Sequence, residues 1–132
     1  MNAEVFLDSN VLLYFISPDP RKAAIAERLI RSGAVISTQV LNEFAAVARR
    51  KKKLPLAAIR LALDPIKTAC RIIPLTLEIH ELGLVILGKT NLGIYDSMIV
   101  AAAEFAGCAA LLTEDLNHGR RIGNVTIRNP FV

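Results

Sequence analysis

Apolar and polar positions along the chain fall into short blocks. Glu4–Leu7, Ala34–Ser37, Cys70–Leu75 and Cys108–Thr113 are brief apolar runs of the kind that form buried strands. Between them, apolar residues recur at helical spacing. The spacing predicts helices over Val11–Ile16, Arg21–Arg31, Gln39 to about Lys52, Pro55 to about Lys67, Leu77–Leu87 and Ile94–Ala106. In the second of these, Ala24, Ile25, Leu29 and Ile30 form the apolar stripe. Ser17-Pro18-Asp19-Pro20 and Ser32-Gly33 break the chain between elements. Thr38 and Thr76 are placed to cap the helices that follow them, while Gly88 and Gly107 are placed to end helices. Pro65 is expected to kink or terminate its helix. Glu114–Gly123 reads as a polar loop, and Val125–Ile127 as a fifth strand at a sheet edge. Strands alternating with helices predict an α/β fold of three layers, α/β/α. Its sheet would be mostly parallel, with about four to five short strands, and residues 1–132 would form a single domain.

Composition narrows the possibilities. At 53% hydrophobic and 21% charged over 132 residues, the chain can bury a core and is not of the disordered class. The longest uninterrupted apolar run, Met98–Ala103, is far short of the roughly 20 residues of a spanning helix. Met1-Asn2-Ala3-Glu4 has no basic segment leading into an apolar one, so a cytoplasmic location and no membrane contact are expected. Cys70 and Cys108 belong to no paired motif and read as buried free thiols. Aromatics make up 5% and Trp is absent, which argues against a base-stacking platform of the OB or RRM type.

Charge is informative by position. Arg49-Arg50-Lys51-Lys52-Lys53 holds five of the 16 basic residues and leaves the rest of the chain close to neutral. A local basic patch of this kind suits a polyanion such as RNA. It also complements the negative end of a helix, which is its ordinary reading.

Four acids stand out by where connectivity puts them. In a parallel sheet with helical crossovers, all strand C-termini lie on one side, where ligands bind. Asp8 follows the first strand, Glu43 lies in the first turns after the second, and Asp115 follows the fourth. Asp96 begins the helix leading back into the fourth strand, so it too belongs at that side. Ile99, Val100 and Ala103 share its helical face, and Glu43 borders Val40, Phe44 and Val47. Each acid has an ordinary role available: Asp8 as a helix cap, Glu43 on a helix rim, Asp96 at a positive helix end, Asp115 in a turn. Together they form an anionic set whose mutual repulsion a divalent cation would relieve. Oxygen-only donors suit Mg²⁺ or Mn²⁺ rather than zinc. His118 reads as a surface or hydrogen-bonding residue, and His80, among Leu77, Ile79, Leu82 and Leu84, as structural. No GxSxG, GxxxxGK[ST] or GxGxxG motif is present. Carboxylates beside a basic patch point to metal-assisted phosphodiester hydrolysis.

The sequence resembles the PIN-domain ribonucleases, specifically the VapC-type toxins of prokaryotic toxin–antitoxin pairs. The resemblance is carried by Phe6–Tyr14, Ser37–Phe44, Tyr95–Ala103 and Leu112–Gly119, in that order. It implies metal-binding acids at Asp8, Glu43, Asp96 and Asp115, with Asn10 and Thr113 orienting carboxylates or water. Asp115 matches the last acid better than its neighbour Glu114. The resemblance further implies Mg²⁺- or Mn²⁺-dependent cleavage of RNA, with structured RNAs such as tRNA as targets. A homodimer and a cognate antitoxin laid over the cleft are also implied. The alternative is a non-catalytic module that uses the same fold to bind RNA or protein. A phospho-acceptor receiver domain fits less well, because Asp8 has no acidic neighbour before Asp19.

Overall fold

The computed structural model describes residues 4–132. Six strands form one sheet in the order β3-β2-β1-β4-β6-β5. They are β1 (Val5–Leu7), β2 (Val35–Ser37), β3 (Arg71–Ile73), β4 (Ala110–Leu112), β5 (Arg121–Ile122) and β6 (Val125–Arg128). All pairings are parallel except β5 with β6. The helices are α1 (Ser9–Leu13), α2 (Pro20–Arg31), α3 (Thr38–Arg50), α4 (Leu56–Ala69), α5 (Leu77–Lys89) and α6 (Ile94–Phe105), with a 3₁₀ turn at Tyr14–Ile16. No single helix among the described residues is long and apolar enough to cross a membrane.

The chain steps from β1 to β2 to β3, then returns across β1 to lay down β4. Right-handed crossovers put helices on opposite faces once the direction of travel reverses. The packing agrees: α1, α2, α3 and α4 contact one another, while α5 packs on α6, which lies against β2, β4 and β6. Gly83 permits the close approach of α5 to α6, since a Cβ there would stand 2.5 Å from the sulfur of Met98. The central strands β1, β2 and β4 are apolar except for Ser37 and buried except for the partly covered Val5, as the apolar runs predict. Phe6, Leu7, Val35, Ile36 and Leu111 are fully enclosed, together with Phe44 from α3 and Ile99 from α6. Cys70 and Cys108 are free and buried, and burial pushes both thiols up to about 11.

Several local expectations are corrected. Ser37, not Thr38, caps α3, accepting from the Val40 N–H at 3.4 Å. The Thr38 hydroxyl accepts from Leu75 N–H instead, tying α3 to the segment after β3. Pro65 neither ends nor breaks α4. The carbonyl it leaves without a donor is that of Leu61, on the solvent face, where water can satisfy it. Gly88 lies inside α5, because the Thr90 hydroxyl donates to the Ile86 carbonyl and carries the helix on to Lys89. The polar stretch after β4 ends in a hairpin turning at Gly123, whose φ is 58°, so β5 and not β6 is the edge strand. His80 is exposed, and of its four apolar neighbours Ile79 alone is fully buried.

The packing sets an expectation for stability. Phe6→Ala should cost about 3–5 kcal/mol in urea unfolding, the range for a large side chain lost from a closed core. Leu61→Ala, at a position 73% exposed, should change it by less than about 0.5 kcal/mol.

Candidate active site

Parallel pairing of β1 with β4 sets Leu7 beside Leu112, so the chain emerges from both strands at the same level. The Asp8 N–H continues the ladder by donating to the Leu112 carbonyl at 3.0 Å. Asp8 and Thr113 thus leave neighbouring strands side by side. Here the strand order also reverses direction, because β1 is flanked by β2 on one side and β4 on the other.

Asp8 is buried, at 4% exposure, and serves as the N-cap of α1. One carboxylate oxygen accepts from the Ser9 N–H at 2.7 Å. The other accepts from the Thr113 hydroxyl at 3.0 Å and, more weakly, from the Asn10 amide at 3.4 Å. The capping role and a place in the acidic set therefore coexist. Burial drives the Asp8 carboxyl up to about 6 against these hydrogen bonds, and the charges of Glu43 and Asp96 add to the rise.

The remaining acids converge on this carboxylate. The Ser9 hydroxyl donates to Glu43 Oε1 at 3.0 Å, linking α1 to α3. The Asn10 amide donates to Thr113 Oγ1 at 2.9 Å and to Asp115 Oδ2 at 3.1 Å. The Asp115 N–H donates to Thr113 Oγ1 at 3.2 Å. Asp96 sits half-buried in the first turn of α6, and burial and the Asp115 carboxylate raise its pKa. Gln39, 8% exposed, donates to both Glu43 Oε2 at 3.1 Å and the Tyr95 carbonyl at 3.0 Å, so it anchors α3 to the start of α6. Asp8, Glu43, Asp96 and Asp115 therefore share one end of the sheet, with Asn10 and Thr113 between them.

Glu114 is turned the other way. Its carboxylate accepts from the Tyr14 hydroxyl at 2.6 Å and pairs with Lys22 at 2.9 Å. The Tyr14 hydrogen bond and Lys22 hold its pKa down. Ser9, Gln39, Tyr14 and Lys22 are participants that pattern reading passes over. Gln39 alone carried a sequence signal, standing four residues before Glu43 on one helix face. His118 is no part of the site; its Nδ1 accepts from the Asn129 N–H at 2.9 Å.

The donor chemistry suits a hard divalent cation. All four acids offer oxygen only, and among the described residues none of them is in an ion pair. The buried Asp8 carboxyl lies beside like charges, a cost that a bound cation would offset. As the side chains lie, no three acids among the described residues already enclose an ion. Ser9, Asn10 and Thr113 bridge the carboxylates by hydrogen bonds, and an ion would take over some of those oxygens.

The basic run borders this region on two sides. Arg50 lines a cleft of about 640 Å³ with Glu43, Gln39, Asn42 and Tyr95. Lys52 lines a smaller groove with Asn10, Tyr14 and Glu114. All five residues from Arg49 to Lys53 are exposed.

The raised Asp8 pKa has a defined effect on stability. A carboxyl that holds its proton more tightly in the folded state destabilises that state once pH passes the unfolded value near 3.8, and the loss is complete above about 6. In chelator, wild type should therefore lose stability relative to Asp8→Asn between about pH 4 and pH 7, by an amount on the order of 2–3 kcal/mol. Urea midpoints measured across that range check this; parallel curves for the two proteins would contradict it.

Residues 5–123 match the family model described as PIN domain. No curated protein matches the chain at a significant level. Among solved structures, a DNA-bound VapBC from Salmonella typhimurium is similar with a TM-score of 0.74 at 20% identity, covering 98% of this chain and 99% of that one. VapBC2 from Rickettsia felis, bound to a DNA fragment from its promoter, gives 0.71 at 22% identity, covering 95% and 97%. The Mycobacterium tuberculosis toxin VapC20, which cleaves the sarcin–ricin loop, gives 0.66 at 18% identity, covering 82% and 87%. At these identities the likeness is one of fold, whereas the family match spans most of the sequence: the chain belongs to the PIN domain family.

Proposed function

We propose that the protein is a divalent-metal-dependent endoribonuclease and the toxin of a toxin–antitoxin pair. The observation that carries this reading is the gathering of four carboxylates, none ion-paired among the described residues, at the point where the strand order reverses. A module that only binds RNA or protein gains nothing from that anionic set. Membership of the PIN family, and the fold shared with VapC20 and with VapBC complexes, supports the same reading.

Asp8, Glu43, Asp96 and Asp115 would hold Mg²⁺ or Mn²⁺. When bound, such an ion would supply Lewis acidity toward a phosphoryl oxygen and lower the pKa of water at the site. Asp8 is the rigid member, fixed by the Ser9 N–H and the Thr113 hydroxyl. Asn10 and Thr113 orient Asp115, and Ser9 and Gln39 orient Glu43. Asp96 rises from the first turn of α6, where the helix dipole favours its charge. Arg50 and Lys52 stand where they can bind the backbone phosphates of a strand lying across the acids, with Arg49, Lys51 and Lys53 extending the track. The target RNA is a structured one such as tRNA. The protein acts in the cytoplasm as a homodimer, and a cognate antitoxin covers the cleft.

The purified protein should cut RNA in Mg²⁺ or Mn²⁺ and stop on addition of EDTA. Asp8→Asn and Asp96→Asn should each reduce cleavage by at least a hundredfold while leaving the circular dichroism spectrum unchanged. RNA binding without cleavage by the wild type in either metal would favour the non-catalytic alternative.

Neutralising Arg49 to Lys53 should weaken RNA binding uniformly across sequences. It should also flatten the plot of log affinity against log salt, by roughly 0.7 for each single-strand phosphate that the protein no longer neutralises. Affinity and slope both unchanged in a filter-binding titration would reduce the run to a solvated helix end.

A further inference from the structure

Glu114 sits between two residues of the acidic pocket, yet its own side chain is held outside it. Its backbone N–H donates to Asn10 Oδ1 at 3.1 Å, while the Asn10 amide nitrogen donates to Thr113 and Asp115 on either side. The path of the chain at Glu114 therefore sets where Asn10 and Asp115 stand.

Two donors from two different elements fix that path. The Tyr14 hydroxyl, in the 3₁₀ turn after α1, donates to Glu114 Oε1 at 2.6 Å. The Lys22 ammonium, from α2, donates to Glu114 Oε2 at 2.9 Å and to the Tyr14 oxygen at 3.1 Å, which closes a triangle. The ammonium also stands 4.5 Å from the centre of the Tyr14 ring. Phe131 packs edgewise on that ring, with centroids 4.7 Å apart. The Lys22 and Glu114 side chains are 27% and 29% exposed, more enclosed than the Arg31–Glu27 pair further along α2. A solvated pair contributes little, but a triangle with a shared hydroxyl and an aromatic wall specifies one geometry.

Charge gives the arrangement its purpose. Without a partner, Glu114 would add a fifth carboxylate next to Asp8, Glu43, Asp96 and Asp115, none of which is ion-paired among the described residues. Freed from Lys22, it would also be able to turn toward the cation and displace Asp115 from it.

We propose that Lys22 and Tyr14 are positioning residues of the site: they hold Glu114 out of the acidic pocket and so set Asn10 and Asp115 for the divalent ion. This deepens the nuclease reading and rests on it for the activity measurement, but not for the measurement of ion binding.

The test compares wild type with Lys22→Met, Lys22→Arg, Glu114→Gln and the double variant Lys22→Met/Glu114→Gln. Mn²⁺ binding is followed by the electron paramagnetic resonance of free ion, and RNA cleavage by kcat and KM, at a temperature where thermal melts show every variant folded. Lys22→Met should weaken Mn²⁺ binding and lower kcat by roughly tenfold or more, the usual cost of losing a group that orients a metal ligand. KM for RNA should stay within about twofold, because the basic track is untouched. Lys22→Arg should recover most of the loss. The double variant should also recover most of it, because Gln at 114 brings no charge to the pocket and can still accept from Tyr14.

Wild-type Mn²⁺ affinity and kcat in Lys22→Met, with only its melting temperature lowered, would overturn the proposal and leave the triangle a brace for the fold. Equal losses in Lys22→Met and the double variant would also overturn it, because the Glu114 charge would then be irrelevant. A wild type that binds Mn²⁺ but cuts no RNA would sink the nuclease reading, while a Lys22-dependent Mn²⁺ affinity would still support the positioning role.

Discussion

The pairing of β1 with β4 is the contact on which the molecule turns. It joins segments about a hundred residues apart and sets Leu7 level with Leu112. Sheet pairing has a period of two, so slipping this register by one residue would send Phe6 and Leu111 to the opposite helix layer, into space shaped for other side chains. The same slip would part Asp8 from Thr113. Core and site are thus specified by one set of backbone hydrogen bonds. The pocket needs no separate scaffold, because the enclosed side chains of the central strands already hold it open.

The site stores an electrostatic conflict that the fold tolerates. Asp8 is buried beside like charges and stays in place because the Ser9 N–H and Thr113 hydroxyl bond it. The body around it is well packed, so a few kcal/mol of local cost does not unfold it. Glu114 shows the opposite solution to the same problem, a carboxylate matched to a cation and a phenol and turned aside. Adjacent residues of one loop thus differ: Glu114 is neutralised within the protein, whereas Asp115 has no ion pair among the described residues.

Much of this was legible in the amino-acid order, for identifiable reasons. Unbroken apolar runs marked the central strands because both their faces are covered, and helical spacing marked α2, α3 and α6. The four acids stood out because connectivity sends each strand end to one side of a parallel sheet. The illegible parts depend on tertiary partners. Nothing local distinguishes Ser37 from Thr38 as a cap; the Leu75 N–H that occupies Thr38 is 37 positions away. Pro65 looks like a helix breaker until Leu61 is seen to face solvent. The hairpin of β5 and β6 hides in a polar stretch because β5 is two residues long and only Ile122 of it is partly buried. The bridges made by Ser9 and Gln39 escape notice because short polar side chains in helices are common and their partners are set by packing.

The order in which the ribosome delivers this chain adds a last consequence. Asp8 and Glu43 emerge early, while Asp96 and Asp115 arrive after most of the domain has been made. Because β4 must slot in beside β1, a nascent polypeptide paused anywhere before residue 110 cannot complete the acidic pocket. Pairing of strands so far apart in sequence is also intrinsically slow to form. Whatever chemistry the assembled pocket performs is withheld until synthesis has passed its final carboxylate.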